Sequence, residues 1–317
     1  MTIVVTALRA IAAGALLAFG LHAAAQPIGF VPNERSGTIS LIDTGTDQVV
    51  ADIAGLNRPR GLALARDGRL LYVTNQPRSL AVVDVAARRV IADIALGDSP
   101  EGVSVSPDGR WIAVAVEDTH SVAFIDAASR KLVDDLKVQG KNPEHAVFSP
   151  DGRWLYVSAE DGNSVDVIDV TARKQVGIIT VGRRPRGIAF TPDSRLAYVA
   201  CEIDSTVYAI DVAKRTPVAT IKAGEFTNGL AMHPDGTRVY VSNGRSGSVS
   251  VIDVATNQVT ATIPVGQRPW NMALTPDGAK LYVANGRSNS VSVIDTAQNR
   301  KVKDIAVGEL PWGVVVK

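Results

Sequence analysis

The sequence predicts an all-β chain, a seven-bladed β-propeller of four-stranded antiparallel blades whose ring is closed by the C-terminal strand. Three observations carry this. The text repeats at a fixed step: Tyr240 and Tyr282 lie 42 residues apart, and the same slot further back holds Tyr198, Tyr156, Ala113, Tyr72 and Phe30. The Asp that ends each "VID"-like run keeps steps of 41–43 residues through Asp43, Asp84, Asp126, Asp169, Asp211, Asp253 and Asp295, and a period of this size marks a propeller or an array. Within a repeat, apolar residues alternate or run in short β-branched blocks with no sustained helical period. Finally, the two ends complement each other: the repeats begin on a second-strand text, IGFVPNE, and stop on a first-strand text, PWGVVVK.

Taken in order, the chain opens on a leader. Arg9 precedes an apolar run over residues 10–21, and Ala23-Ala24-Ala25 is a small-x-small cleavage site before Gln26. This predicts a secretory signal peptide over 1–25, since the run is short for a membrane span of ~20 residues. Residues 26–317 are then the propeller domain, periplasmic or secreted, monomeric and not inserted in a membrane. The 33 basic and 32 acidic residues nearly cancel, and Arg9 leaves with the leader, so a generic polyanion binder is excluded.

Each repeat reads as four strands; over 185–223 these are PRGIAFT, LAYVACE, STVYAID and PVATIKA. Pro-Asp-Gly recurs at 107–109, 150–152, 234–236 and 276–278. Pro presets φ and Gly accepts φ > 0, which makes a tight hairpin between the first two strands. The first blade lacks an inner strand, and residues 311–317 supply it, removing an exposed edge. Cys201, the single cysteine, stands where other repeats have Asn75, Asn243 and Asn285 and reads as a small, partly buried filler. His233 replaces Ser or Thr at a hairpin turn and reads as solvent-exposed.

Tyr72-Val73-Thr74-Asn75, Tyr240-Val241-Ser242-Asn243 and Tyr282-Val283-Ala284-Asn285 resemble the YVTN β-propeller repeat family over the whole of residues 26–317. Arg58-Pro59-Arg60-Gly61, Gln267-Arg268-Pro269-Trp270 and Pro311-Trp312-Gly313 resemble, more narrowly, YVTN propellers associated with pyrroloquinoline-quinone-dependent catabolism. That resemblance implies an accessory role beside a quinoprotein dehydrogenase, with pyrroloquinoline quinone as a bound ligand. The repeat is also similar to a periplasmic propeller that binds single-stranded DNA and, more distantly, to the haem-carrying propeller of nitrite reductases.

Several chemistries lack their motifs. No CxxCH, Walker loop, HExxH or GxSxG is present, and His120, His145 and His233 fall in different repeats at different strand positions. No metal site is expected. Loops before the first strand and after the second share one face, where loops held by a rigid scaffold carry function. The residue after each recurrent Pro lines the channel mouth: Trp312, Arg60, Glu101, Glu144, Arg186, Asn228 (where Thr227 replaces the Pro) and Trp270. The loops after the second strand add an acidic half (Glu117, Asp118, Glu160, Asp161, Glu202, Asp204) and a basic half (Arg245, Arg287, Arg35), joined by Arg268 and Arg58.

The residues singled out as a site are therefore Trp270, Trp312, Arg268, Arg60, Arg287, Arg245, Arg186, Glu101, Glu144 and His145. Paired Trp with Arg reads as a binding hot spot, and Arg forks match carboxylates. Glu101 and Glu144 read as ion partners of Arg60 and Arg186, with an acid/base couple as the alternative. His145 is the candidate for handling a proton. The function expected is a non-catalytic binding or accessory protein whose partner is a protein or an anionic small molecule. The alternatives are a single-stranded nucleic-acid binder stacking bases on the two Trp, or a lyase or hydrolase using the mouth carboxylates.

Overall fold

The computed structural model describes residues 27–317; the leader read over 1–25 lies outside them. The described chain forms seven four-stranded antiparallel sheets arranged as a propeller, with a single 3-10 turn, Glu160–Gly162, as its helical element. Among the described residues no helix is long and apolar enough to cross a membrane.

The repeated residues explain the blade. The anchor slot is the core: Tyr72, Tyr156, Tyr198, Tyr240, Tyr282 and Phe30 are all 0–1% exposed. Each apolar cluster draws on two neighbouring blades; Tyr156, Val165 and Val167 of one pack with Val199 and Ile210 of the next. A blade thus buries both faces only within the ring. The recurrent Asp caps the outer hairpin: Asp43 Oδ1 accepts the amides of Gly45 and Thr46, both at 2.9 Å. Asp84, Asp126, Asp169, Asp211, Asp253 and Asp295 accept equivalent amides. The recurrent Asn ties the second strand to its surroundings: Asn243 accepts from Gly224 N at 3.1 Å and donates to Ser250 Oγ at 2.9 Å.

The C-terminal strand does close the first blade, in the order Val315–Val316, Ile28–Asn33, Thr38–Asp43, Gln48–Ile53. Its regular ladder is shorter than 311–317. Only Val315 and Val316 pair in register, with an isolated bridge from Pro311 to Asn33. The reason is general to the inner strands, whose register shifts just after the Pro; Pro59 faces Asn75, and pairing resumes only at Leu62 with Val73. The shifted residues leave the ladder and turn toward the channel.

Two expectations for single side chains need correction. Cys201 is fully buried rather than partly so, and burial pushes its thiol up to about 12, which makes it inert. His233 is buried at 8% exposure. Its ring faces Tyr240 at 6.5 Å, with Asp235 at 2.8 Å and Arg238 Nη2 at 3.1 Å. The hairpin turn folds back over the blade end, so the side chain in that slot packs inward.

Candidate active site at the channel mouth

Three tiers of residues, each set by the repeat, build the mouth. The first is the residue after each inner-strand Pro. All seven of these residues, Arg60, Glu101, Glu144, Arg186, Asn228, Trp270 and Trp312, line one cavity of about 390 Å³. The second is the residue just after the second strand: Glu34, Gln76, Glu117, Glu160, Glu202, Gly244 and Gly286. The two glycines make room, since a Cβ on Gly286 would strike the Trp270 ring and one on Gly244 would press on the Arg268 guanidinium. The third tier is the residue before the Pro: Arg58, Ser99, Asn142, Arg184, Phe226, Arg268 and Leu310. Every one is left-handed, with φ between 47° and 60°. Seven non-glycine residues in that sparsely used region form a ring around the mouth, a placement characteristic of binding sites.

The charges form two ion-paired groups. Arg60 bonds Glu101 and also Glu34 at 3.1 Å, and Arg58 reaches Glu34 at 2.6 Å. Arg186, with only 14% of its side chain exposed, holds Glu144 at 2.6 Å, Glu160 at 2.9 Å and Glu202 at 3.0 Å. Arg184 bonds Glu160 and approaches Glu202 at 3.4 Å, and Arg268 closes on Glu202 at 2.6 Å. Six carboxylates, counting Glu117, thus meet five guanidiniums, and one proton balances them.

Burial and the adjacent Glu144 charge push Glu101 up to about 8, against the pull of Arg60. Burial works on Glu144 in the same direction, but Arg186 outweighs it and holds that carboxyl below its ordinary value. Burial also raises Glu117 and Glu160. Glu202 is held low because Arg186 and Arg268 overcome its burial. Two neighbouring carboxyls driven apart are the arrangement that separates an acid from an anion at neutral pH.

The channel is plugged. Trp312, on the first blade, reaches across to the fourth and lies 5.6 Å from the His145 ring. The inner-strand level below is a ring of glycines, Gly61, Gly102, Gly187, Gly229 and Gly313, broken only by His145 and Asn271. The glycines are required, because a Cβ on Gly102 would sit 2.8 Å from both Glu144 O and His145 Nδ1. A smaller chamber of about 140 Å³ remains there.

Trp270, Trp312, Arg268, Arg60, Arg186, Glu101 and Glu144 thus share the mouth, with His145 just beneath. Arg245 and Arg287 do not join them; they line a separate surface cavity with Phe226 and Gln267. The division into acidic and basic halves is also corrected. Arg268 and Arg60 are taken up by Glu202, Glu34 and Glu101, and Arg245 and Arg35 face Glu225 and Glu309. Each guanidinium lining the mouth is ion-paired with a glutamate, so a quinone carboxylate or a phosphate there would have to displace one. Glu34 escaped sequence reasoning because it belongs to the incomplete first blade; its place four residues after Phe30, matching Glu160 after Tyr156, is the signal that finds it.

The model of the lactonase family, 7-bladed β-propellers, matches residues 173–310. That of the cytochrome D1 heme domain matches residues 24–116 and 113–227. No curated protein matches. Among solved structures, the chain is similar to hydrazine synthase of Kuenenia stuttgartiensis, at 26% identity and TM-score 0.77, covering 84% of this chain and 92% of that one. A putative 6-phosphogluconolactonase from Bacteroides fragilis gives 20% identity and TM-score 0.78, covering 92% and 98%. The dihydro-heme d1 dehydrogenase NirN gives 18% and TM-score 0.70, covering 91% and 74%; at these lower identities the likeness is one of fold. The family matches overturn the expectation of a non-catalytic binding or accessory protein and point to a catalytic or haem-associated one. None of them supports pyrroloquinoline quinone as a ligand.

The mouth does not fit a haem. The imidazole lining the channel, His145, lies under Trp312, beside a chamber well below the ~300 Å³ of small ligand sites. His120 and His233 are not among the residues lining the mouth, and the guanidiniums there are already bound to glutamates.

Proposed function

Because the chain belongs to the β-propeller family of the cytochrome D1 heme domain, matched from residue 24 to residue 227, and its second half matches the 7-bladed lactonases, we propose that it hydrolyses a small uncharged cyclic ester at the channel mouth. The observation that carries this reading is the pair Glu101 and Glu144, whose proton affinities are driven apart inside one cavity. Protonated Glu101 donates to the ring oxygen as the carbon–oxygen bond breaks. Arg60 and Arg186 hold Glu101 and Glu144 in place. The Trp270 and Trp312 faces receive the ring. An uncharged substrate follows from the absence of an unpaired guanidinium in the mouth. Export to the periplasm belongs to the proposal and is supported by residues 1–25; intact mass of a periplasmic fraction should start at Gln26, and a mass retaining the leader rules it out.

The test is the pH–rate profile on an uncharged lactone such as dihydrocoumarin. The rate should fall as pH rises through about 8, where Glu101 loses its proton, and Glu101→Gln should slow it about 100-fold or more. A rate rising steadily with hydroxide, or a variant within twofold of the wild type, overturns the proposal. Glu101 also fixes a stability trend. Its folded value lies above the ordinary 4.5, so the folded state holds an extra proton between 4.5 and about 8, and its contribution weakens as pH climbs through that window. Glu101→Gln should therefore melt higher than the wild type at pH 9 and gain little at pH 5.

A further inference from the structure

Two buried nitrogens in the channel have no partner among the described residues, His145 Nε2 and Arg60 Nε. Both side chains line the chamber of about 140 Å³ beneath Trp312. A buried polar atom left unpaired costs free energy, so two of them on one polar chamber call for an occupant. Their chemistry specifies it. Arg60 Nε–H can only donate, and an imidazole nitrogen accepts when the ring is neutral; burial, opposed by Glu144, keeps His145 toward the neutral form. The glycine ring brings backbone rather than side chains to the walls, leaving His145 and Asn271 as the groups that reach inward at that level. Arg60, Asn271 and Trp312 belong to both the chamber and the mouth above it.

We infer that this chamber is a second binding site, for a small uncharged molecule that accepts a hydrogen bond from Arg60 Nε and donates one to His145 Nε2, and that its occupant is the nucleophile of the mouth reaction. Water or a short alcohol has this pattern. The nucleophile role, though not the site, rests on the ester-hydrolase reading above. In the step, the occupant's oxygen bonds to the ester carbonyl and its proton passes to His145 Nε2. The ring carbon–oxygen bond breaks, and the ring oxygen takes the proton from Glu101. Return of the proton from His145 to Glu101 through solvent restores the site.

Methanol is the probe. In a high-resolution crystal structure of the wild type, soaked in methanol or not, one molecule should lie within hydrogen-bond distance of both nitrogens. An empty chamber, or either nitrogen bonded to a protein atom, overturns the site. With lactone turnover measured in rising methanol, the fraction of methyl ester should saturate, as a bound nucleophile requires, and His145→Leu should lower the saturating part at least tenfold. A fraction rising linearly without limit, or one unmoved by His145→Leu, overturns the nucleophile role. If the wild type opens no lactone, the hydrolase reading and the nucleophile role both fall, and the crystallographic result still decides the site.

Discussion

Deleting residues 311–317 is expected to abolish the cooperative thermal transition or send the protein into aggregates. The segment removes Val314, at 5% exposure, from a cluster shared with Val31, Ile42 and Tyr282. It also removes Val315, which packs in the adjoining cluster around Phe30 and Ile39, and the half-buried Trp312. Buried apolar side chains of this size contribute roughly 1.5–3 kcal/mol each, so the loss is on the order of 5 kcal/mol even after allowance for partial exposure. The amide of Trp312, 3.0 Å from Pro32 O, and that of Lys317, 3.0 Å from Ile28 O, leave with it. Ile28–Asn33 then becomes an open edge, the template on which other chains pair. Trp312→Ala is the control that separates the plug from the strand. A deletion variant that melts within a few degrees of the wild type refutes the closure.

Arg186→Met should be the most damaging single substitution in the mouth. It strands Glu144, which has no other ion-pair partner among the described residues, and leaves Glu160 to Arg184 and Glu202 to Arg184 and Arg268; breaking a buried pair by removing one partner costs about 3–5 kcal/mol. The pH dependence carries the diagnosis. In the wild type, Glu144 and Glu202 lie below their ordinary 4.5. Their contribution is complete above that value and disappears as pH falls through the depressed ones. Without Arg186 the largest influence opposing burial at Glu144 is gone and its carboxyl rises, so the variant should regain stability as pH falls toward 5. Urea titrations at pH 5 and pH 8 measure this; equal deficits at both, or a deficit under about 1 kcal/mol, would show that the network is not what holds these carboxylates. Turnover should fall as well, because Arg186 is what holds Glu144 anionic beside Glu101.

The repeat made the fold legible. The Tyr slot, the Asp that caps the outer hairpin and the Pro before the channel each recur at one step, so every blade confirms the others. The same Pro marked six of the seven first-tier residues, and the repeat step marked Asn228 after Thr227, because one position per blade maps to one height on the channel axis. The pairing of those residues was legible only in part. Arg60 with Glu101 and Arg186 with Glu144 are neighbours around the ring and were anticipated. Arg268 with Glu202, 66 residues apart in sequence, spans from the seventh blade to the fifth and depends on how far a left-handed residue throws its side chain inward. Loop charges that look solvated in one dimension are thus neutralised in three. The proposed acid was legible only as an alternative for a related reason: no short motif marks it, and the shift on Glu101 arises first from its burial.

The way the ring is sealed also decides how the molecule answers to force. Lys317 and Ile28 meet at the same end of an antiparallel pair, two register positions and one bridge long. A pull on the two ends therefore peels that seam one hydrogen bond at a time, like a zip, instead of loading its bonds together in shear. A pull on attachment points within two different blades meets full four-stranded sheets and their packed flanks. The ring is strongest where blades lean on one another and gives way first at its own two ends.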